Sequence, residues 1–289
     1  MKRTKNALAS RFQLARDTYI YRTIAAISGE VGVGKTFFGC TGPAPVLIQN
    51  IDKGTEGVVE QFRADGKEIY EEVYDWRPGE VADEEDEEDD DDKDSKGKGS
   101  KDLKIEKELK EAAIEIRNKW EKDYFYFIEN GGRTAVMDNE SRIWQVYRYA
   151  EFGGPKGGDI KDFDKLNLRF EELINRAKSC EINLLMMRAM KDRWGMYGKA
   201  KADGSKSFAK SGREVWGYEH LAGIVLLELD FVHRTKVEQE KIGDGNGEFA
   251  IKIGKSRQNT DLQFSTVPRC SFPELGTLIF SDSTEEDWQ

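Results

Sequence analysis

Residues 29–36 read Gly-Glu-Val-Gly-Val-Gly-Lys-Thr, and the reading of the whole chain turns on this stretch. It fits the pattern G-x-x-x-x-G-K-[ST], in which glycines let a loop wrap closely around phosphates and backbone N–H groups point at the negative charge. The flanks agree with it. Residues 19–28 (YIYRTIAAIS) are rich in β-branched and aromatic side chains and predict a strand, and Phe37 with Phe38 begins an apolar stretch suited to a helix. That strand–loop–helix context separates the motif from an ordinary glycine-rich turn. The expectation is a nucleotide site formed by Gly29, Glu30, Val31, Gly32, Val33, Gly34, Lys35, Thr36 and Phe37. Lys35 would reach the β- and γ-phosphates, and Thr36 would offer its hydroxyl to Mg²⁺.

Outward from the motif, short apolar strands alternate with amphipathic helices. Strand character is expected at 46–50 (VLIQN), 69–75, 133–138 (RTAVMD), 181–187 (EINLLMM), 224–230, 231–237 and 249–253 (FAIKI). Residues 103–122 and 164–178 carry apolar residues at helical spacing, the first with interleaved Glu and Lys. The alternation predicts an α/β fold with a mostly parallel twisted sheet covered by helices on both faces. Composition divides the chain into a basic lead-in at 1–18, a core domain at 19–280 and an acidic end at 281–289. Within the core, 79–102 is almost purely charged, Gly and Ser, and is expected to be disordered because it cannot bury enough apolar area to offset chain entropy.

The charge is unevenly spread. Residues 83–94 (DEEDEEDDDDKD) hold eleven acids and one lysine, which accounts for the formal net charge of −10 of the 289-residue chain. The low pI therefore describes one insert and does not argue against an anionic partner elsewhere. Cys40, Cys180 and Cys270 are far apart with no C-x-x-C pair, so a disulfide framework or zinc site is not expected and reduced thiols in a cytoplasmic compartment fit best. No signal peptide is read after Met1-Lys2-Arg3, and the longest strongly apolar run, near 221–229, is far too short to span a bilayer, so no membrane partner is expected.

Several residues suggest chemistry around the loop. Asp138 ends a buried strand and is the expected Mg²⁺-side acid. Asp52, Glu56 and Glu140 compete for the role of base or water-positioning group, with Glu56 and Glu140 the candidates carried forward. Each also fits a turn or helix start. Arg188 closes the strand EINLLMM at the same sheet edge and could sense the γ-phosphate. Residues 191–214 have seven basic and three acidic side chains with interleaved aromatics and several glycines and serines. A mobile basic loop of this kind suits single-stranded nucleic acid, since cations track phosphates and rings stack on bases. The contact candidates are Lys191, Arg193, Trp194, Tyr197, Lys199, Lys201, Lys206, Phe208, Lys210 and Arg213, with the glycine-rich 151–161 as a second contact loop. Lys255 and Arg257, after FAIKI, could complete a neighbouring subunit's nucleotide site as arginine fingers do. The acidic residues 282–289, with Trp288 among them, read either as a partner-docking tail or as a plain solvated end.

The order of GEVGVGKT, VLIQNIDKGTEG, TAVMDNES, a glycine loop and LLMMRAMKDRWG running into a basic segment resembles the RecA-like ATPases. More narrowly, it resembles the phage single-strand annealing and recombination ATPases of the Sak type, over roughly residues 19–260. The resemblance implies a RecA-like P-loop core that uses ATP and Mg²⁺. It also implies DNA-contacting loops at 151–161 and 191–213, and Lys255 with Arg257 between subunits of a filament or ring. Its expected partners are single-stranded DNA and a single-strand-binding or replication protein. The acidic insert departs from that pattern; it either restrains the basic loop by mimicking nucleic acid or only solubilises the chain. A P-loop small-molecule kinase and a nucleotide-gated assembly or chaperone ATPase stay open as rivals. A GTPase is disfavoured by the lack of N-K-x-D, and a transporter ATPase by the lack of L-S-G-G-Q.

Overall fold

A computed structural model describes residues 21–78, 98–154, 160–197, 207–233 and 249–288. An eight-stranded sheet organises them, in the order β10-β9-β8-β1-β5-β4-β2-β3. Its strands are β1 (Ile24–Gly29), β2 (Val46–Asn50), β3 (Ile69–Val73), β4 (Thr134–Asp138), β5 (Asn183–Met187), β8 (Leu227–His233), β9 (Phe249–Ser256) and β10 (Thr266–Pro268). From β3 across to β8 every neighbour runs parallel, and β9 and β10 add an antiparallel edge. The central strands β1, β2, β4 and β5 read as largely apolar runs because both of their faces are covered.

Alternate residues of each central strand feed two separate cores. Ile24 and Ala26, Ala135 and Met137, and Leu184 and Met186 face one side. There they meet Trp120 and Tyr124 of the long helix α3 (Lys98–Glu129), Ile143 and Tyr147 of α4 (Glu140–Phe152), and Phe170 and Ile174 of α5 (Ile160–Ser179). Ala25 and Ile27, Val136, Leu185 and Met187 face the other side. Their partners include Phe38 of α1 (Lys35–Cys40) and Leu275 and Ile279 of α7 (Phe272–Ile279). The short helices α2 (Val59–Ala64) and α6 (Leu221–Ile224) complete the set. The α/β class, the mostly parallel sheet and the helices on both faces are thus as the alternating pattern predicts.

Four local expectations are corrected. The segment around 191–214 is not a mobile loop where it is described: β6 (Met190–Tyr197) and β7 (Ser207–Val215) pair antiparallel as a two-stranded ribbon with an irregularity at Arg193/Trp194. Of the two strands expected at 224–230 and 231–237, the described part is one strand, β8, preceded by a helical turn; 234–237 lie outside the described residues. Helix α3 begins at Lys98, inside the stretch expected to be disordered. Helix α4 occupies residues after Asp138 for which no element is expected, and Glu151 and Phe152 end it rather than opening a loop. The lead-in 1–18, the acidic run 83–94, residues 155–159, and Lys199, Lys201 and Lys206 lie outside the described residues.

The C-terminal acidic stretch holds its one aromatic inside the molecule. Trp288 is fully buried, with ring centroids 5.6 Å from Phe272, 5.5 Å from Phe280 and 6.0 Å from Tyr21. Its indole N–H donates to Ser283 Oγ at 3.0 Å. Ser271 and Glu274 form a reciprocal capping box at the start of α7, the helix that Trp288 packs on.

Candidate functional site

In an open parallel sheet, side chains beyond the carboxyl ends of adjacent strands converge, and that edge is where ligands bind. Here β1 ends at Gly29, β5 at Met187, β4 at Asp138 and β2 at Asn50, with Asp138 in register with Met187 and with Asn50. Strand β5 therefore lies between the glycine-loop strand and the strand that carries Asp138. A cleft of about 300 Å³ opens over this edge.

The loop between β1 and α1 needs glycine at its start. Gly29 has φ 145°, and a Cβ there would sit 2.5 Å from the carbonyl oxygen of Phe231 on β8. The loop then folds back on its own lysine: Lys35 Nζ donates to the carbonyl oxygens of Gly29 (2.8 Å) and Glu30 (2.7 Å). Burial holds the Lys35 ammonium below its usual pKa, opposed by the nearby carboxylates of Asp138, Asp52 and Asp230. Gly29, Glu30, Val31, Gly32, Gly34, Lys35, Thr36 and Phe37 all line the cleft. Val33 does not; it is buried in the core with Phe38, so only its backbone can face a ligand.

Thr36 Oγ1 donates to Asp138 Oδ2 at 2.7 Å. Asp138 is 7% exposed, and burial pushes its pKa up to about 6, with the Asp52 and Glu71 charges adding to the rise while the Thr36 bond and Lys35 oppose it. A hydroxyl and a carboxylate side by side under the loop are hard oxygen donors. They fit Mg²⁺, which takes one or two carboxylates and shares its other positions with water and phosphate. Among the described residues no group of three or more His, Cys, Asp and Glu is placed to hold a metal by itself, so a cation here would depend on the phosphates for the rest of its shell.

The two carboxylates expected as base are elsewhere. Glu140 is fully buried and does not line the cleft. Its Oε1 accepts the Tyr218 N–H (3.0 Å), and Oε2 lies 3.4 Å from Arg188 Nε, an ion pair too poorly aligned to count as a hydrogen bond. Burial pushes its pKa up to about 7 against the pull of Arg188. Gly217 follows from this packing: at φ 125°, a Cβ would fall 2.2 Å from Glu140 Oε2. Glu56 is exposed and also lies off the cleft. Of the three carboxylates weighed for that role, Asp52 is the one that lines it. Asn50 closes the turn that presents Asp52, accepting the Lys53 N–H (2.8 Å) and donating to Thr55 Oγ1 (2.6 Å). Asn139 Nδ2 reaches Asp52 Oδ2 at 3.5 Å.

Arg188 lines the cleft, and its Nη2 donates to the Tyr218 carbonyl at 3.2 Å. Both feet of the β6–β7 ribbon are tied to the residues just after Asp138. Ser141 Oγ accepts the Ala189 N–H (3.0 Å) and donates to the Trp216 carbonyl (2.6 Å). The Trp216 N–H in turn meets the Ala189 carbonyl at 2.9 Å. Arg193, Trp194, Tyr197, Phe208 and Lys210 are carried along the ribbon, with Trp194 paired to Lys210 and Tyr197 to Ser207. Lys191 is paired across it with Glu214 at 3.3 Å. Arg213 turns toward the loop instead: it lines the cleft and its Nη1 ion-pairs with Glu30 Oε2.

Lys255 and Arg257 sit at the opposite, amino edge of the parallel strands, since β9 runs against β8 and Ser256 pairs with Leu227. They do not meet the cleft of their own chain. Lys255 Nζ and Arg257 Nη2 bond the Ala222 and Gly223 carbonyls of α6, the latter at 2.7 Å, and Lys178 Nζ takes the Ile224 carbonyl at 3.0 Å. Another cation escaped sequence reasoning. Arg269 stacks over Phe37 (4.9 Å to the ring centroid) beside Gly34. Its link to the loop runs through tertiary packing, which no local pattern reveals.

No protein-family profile matches the chain, and no curated protein matches it. Among solved structures it is similar to a KaiC-like protein from the hyperthermophilic archaeon Pyrococcus horikoshii OT3, at 10% identity and a TM-score of 0.37 over 85% of this chain and 84% of that one. It is also similar to the genome packaging NTPase of Sulfolobus turreted icosahedral virus 2, at 11% identity and a TM-score of 0.31 over 86% and 98% of the two chains. At these values neither likeness carries an activity or a partner across. Among the described residues no helix is long and apolar enough to cross a membrane.

Proposed function

We propose that the chain is a RecA-like, Mg²⁺-dependent ATPase that acts on single-stranded DNA in recombination, annealing or replication. The observation that carries this reading is the joint placement of Lys35 and the Thr36–Asp138 pair under one glycine loop at the sheet's carboxyl edge. Residues 29–37 would hold the phosphates, through loop N–H groups and the Lys35 ammonium. Thr36 and Asp138 would hold Mg²⁺, which when bound supplies charge neutralisation on the β- and γ-phosphate oxygens. Asp52, which lines the cleft close enough for its charge to act on Lys35 and Asp138, replaces Glu56 and Glu140 as the residue proposed to orient the attacking water. Glu140 is assigned the task of fixing Arg188 and the ribbon foot.

The DNA part of the proposal rests on the ribbon. Its basic and aromatic residues (Arg193, Trp194, Tyr197, Phe208 and Lys210) lie on an arm rooted at the nucleotide cleft. Cations and rings on such an arm suit a single strand without sequence readout. Lys255 and Arg257, at the edge opposite the cleft, would meet the cleft of a second copy stacked head to tail, giving up the α6 carbonyls they hold, as a filament or ring requires. The test is fluorescence anisotropy of a labelled oligothymidylate with ATP, ADP or neither, over a salt series. The reading predicts binding that depends on the nucleotide and falls steeply with salt. Binding that ignores both would remove DNA from the account and favour an assembly ATPase or a kinase.

A further inference from the structure

The ribbon's last arginine stands apart from its other cations. Arg213 belongs to β7, yet its guanidinium lines the nucleotide cleft and contacts the second residue of the glycine loop. Its polar surroundings are Glu30, by ion pair, Asp192 across the ribbon (Nε to Oδ1, 3.7 Å) and the Met190 carbonyl (Nη2, 3.1 Å). Glu30 has a second connection. Its backbone carbonyl accepts the Lys35 ammonium, and Lys35 is the side chain that reaches β- and γ-phosphates in loops of this pattern. The end of the cradle marked by Lys35 and the point gripped by Arg213 are therefore the same residue. Arg213 and Glu30 are each about two-fifths exposed, so their pairing is weak and readily exchanged.

We infer that Arg213 reads the terminal phosphate of the bound nucleotide, and that Glu30 competes with that phosphate for the same guanidinium. Arg213 thus contacts the nucleotide within its own chain, and is not one of the DNA contacts expected from the basic composition of 191–214. A planar guanidinium suits the exchange, because it offers paired N–H donors to carboxylate and phosphoryl oxygens alike. The exchange also makes the site discriminate between nucleotides. A triphosphate can draw Arg213 from Glu30, whereas a diphosphate ends short of it and leaves the Glu30 carboxylate paired. Because Arg213 sits on β7, the grip on the phosphate is transmitted directly to the ribbon.

This inference rests on the proposed nucleotide site, and the experiment separates the two. Binding of fluorescent ADP and of a fluorescent non-hydrolysable ATP analogue, with Mg²⁺, is measured on the full chain and on Arg213→Ala, Arg213→Lys, Glu30→Gln and Lys35→Ala. Arg213→Ala should weaken the triphosphate about tenfold or more while changing ADP less than about twofold, as loss of one ionic hydrogen-bonding partner implies. Glu30→Gln should tighten the triphosphate several-fold, and Arg213→Lys should fall between wild type and Arg213→Ala. Equal effects of Arg213→Ala on both nucleotides, or none on either, overturn the role of Arg213. Glu30→Gln perturbs only the polar end of the same pair, so it decides the question even if Arg213→Ala folds poorly: a triphosphate affinity unchanged or weakened counts against the inference. Failure of the wild type to bind either nucleotide, or wild-type binding by Lys35→Ala, overturns the nucleotide site itself and the inference with it.

Discussion

Removing Trp288 should unfold the protein more readily than any other change in the acidic C-terminal stretch. The side chain is fully buried against Phe272, Phe280 and Tyr21, and its indole lies flat on Gly276 of α7, where a Cβ would come within 2.4 Å of Cε2. Truncating a buried Trp to Ala costs about 3–5 kcal/mol, which at a urea slope near 3 kcal/mol/M lowers the midpoint by about 1 M or more. Gly276 supplies an independent arm. In a helix, Gly→Ala alone should add about 1 kcal/mol of stability, but with Trp288 in place Gly276→Ala overpacks the contact and should cost about 1–3 kcal/mol. In the Trp288→Ala background the obstruction is gone, and the same substitution should become stabilising. The sign change corresponds to a coupling of about 2 kcal/mol or more, well beyond the additivity of independent sites. Equilibrium urea unfolding of wild type, both single variants and the double variant measures it. A Trp288→Ala cost under about 1 kcal/mol, or a Gly276→Ala effect of one sign in both backgrounds, refutes the packing argument.

Asp52→Asn should lower ATP turnover by about 10²–10⁴-fold, in line with loss of a general base or water-orienting group, while nucleotide affinity is kept; Glu56→Gln should leave turnover near wild type in the same steady-state assay. Glu140→Ala strands Arg188 and the Tyr218 N–H and should cost about 3–5 kcal/mol in urea unfolding, as breaking a buried ion pair does. Glu140→Gln, which still accepts from Tyr218, should cost less, and a large loss of turnover in that variant without loss of stability would return the base role to Glu140. Burial pushes the Cys40 and Cys270 thiols up to about 12. At pH 8 only about one part in ten thousand of each is thiolate, the reactive form, so mass spectrometry after native iodoacetamide treatment should find both unmodified, with labelling only after denaturation.

The sheet was legible because it is written in short-range terms. VLIQN, TAVM and NLLMM are largely apolar runs of strand length, too short for a helix of usual size, which suits strands buried on both faces. The loop at 29–36 was legible for the same reason, since its glycines and lysine are contiguous. Asp138 could be found as the acid ending such a run. What stayed hidden depends on pairings between distant residues. The ribbon pairs Met190 with Val215 across a stretch whose glycines, lysines and serines read locally as coil. Glu140 and Asp52 both follow strands at the right edge. Only the fold shows that the first turns under α4 to hold Arg188, while the second is presented to the cleft by the Asn50 turn. The Ser271–Glu274 capping box, ahead of the acidic end, is a local helix-start signal from which no element was expected. Trp288 shows the same bias: four acids around one indole suggest a solvated segment, yet the indole finds a slot made by a glycine twelve positions back in helix α7 that only packing reveals.

The most direct test of the account is Mg²⁺-dependent phosphate release from ATP by the wild-type chain and by Lys35→Ala, with and without single-stranded DNA, at low and moderate salt. The account predicts hydrolysis that DNA stimulates, stimulation that fades as salt rises, and a loss of about a hundredfold or more in the variant. Hydrolysis in Lys35→Ala equal to wild type would contradict the nucleotide site, and wild-type hydrolysis indifferent to DNA at every salt concentration would contradict the proposed coupling of that site to the ribbon.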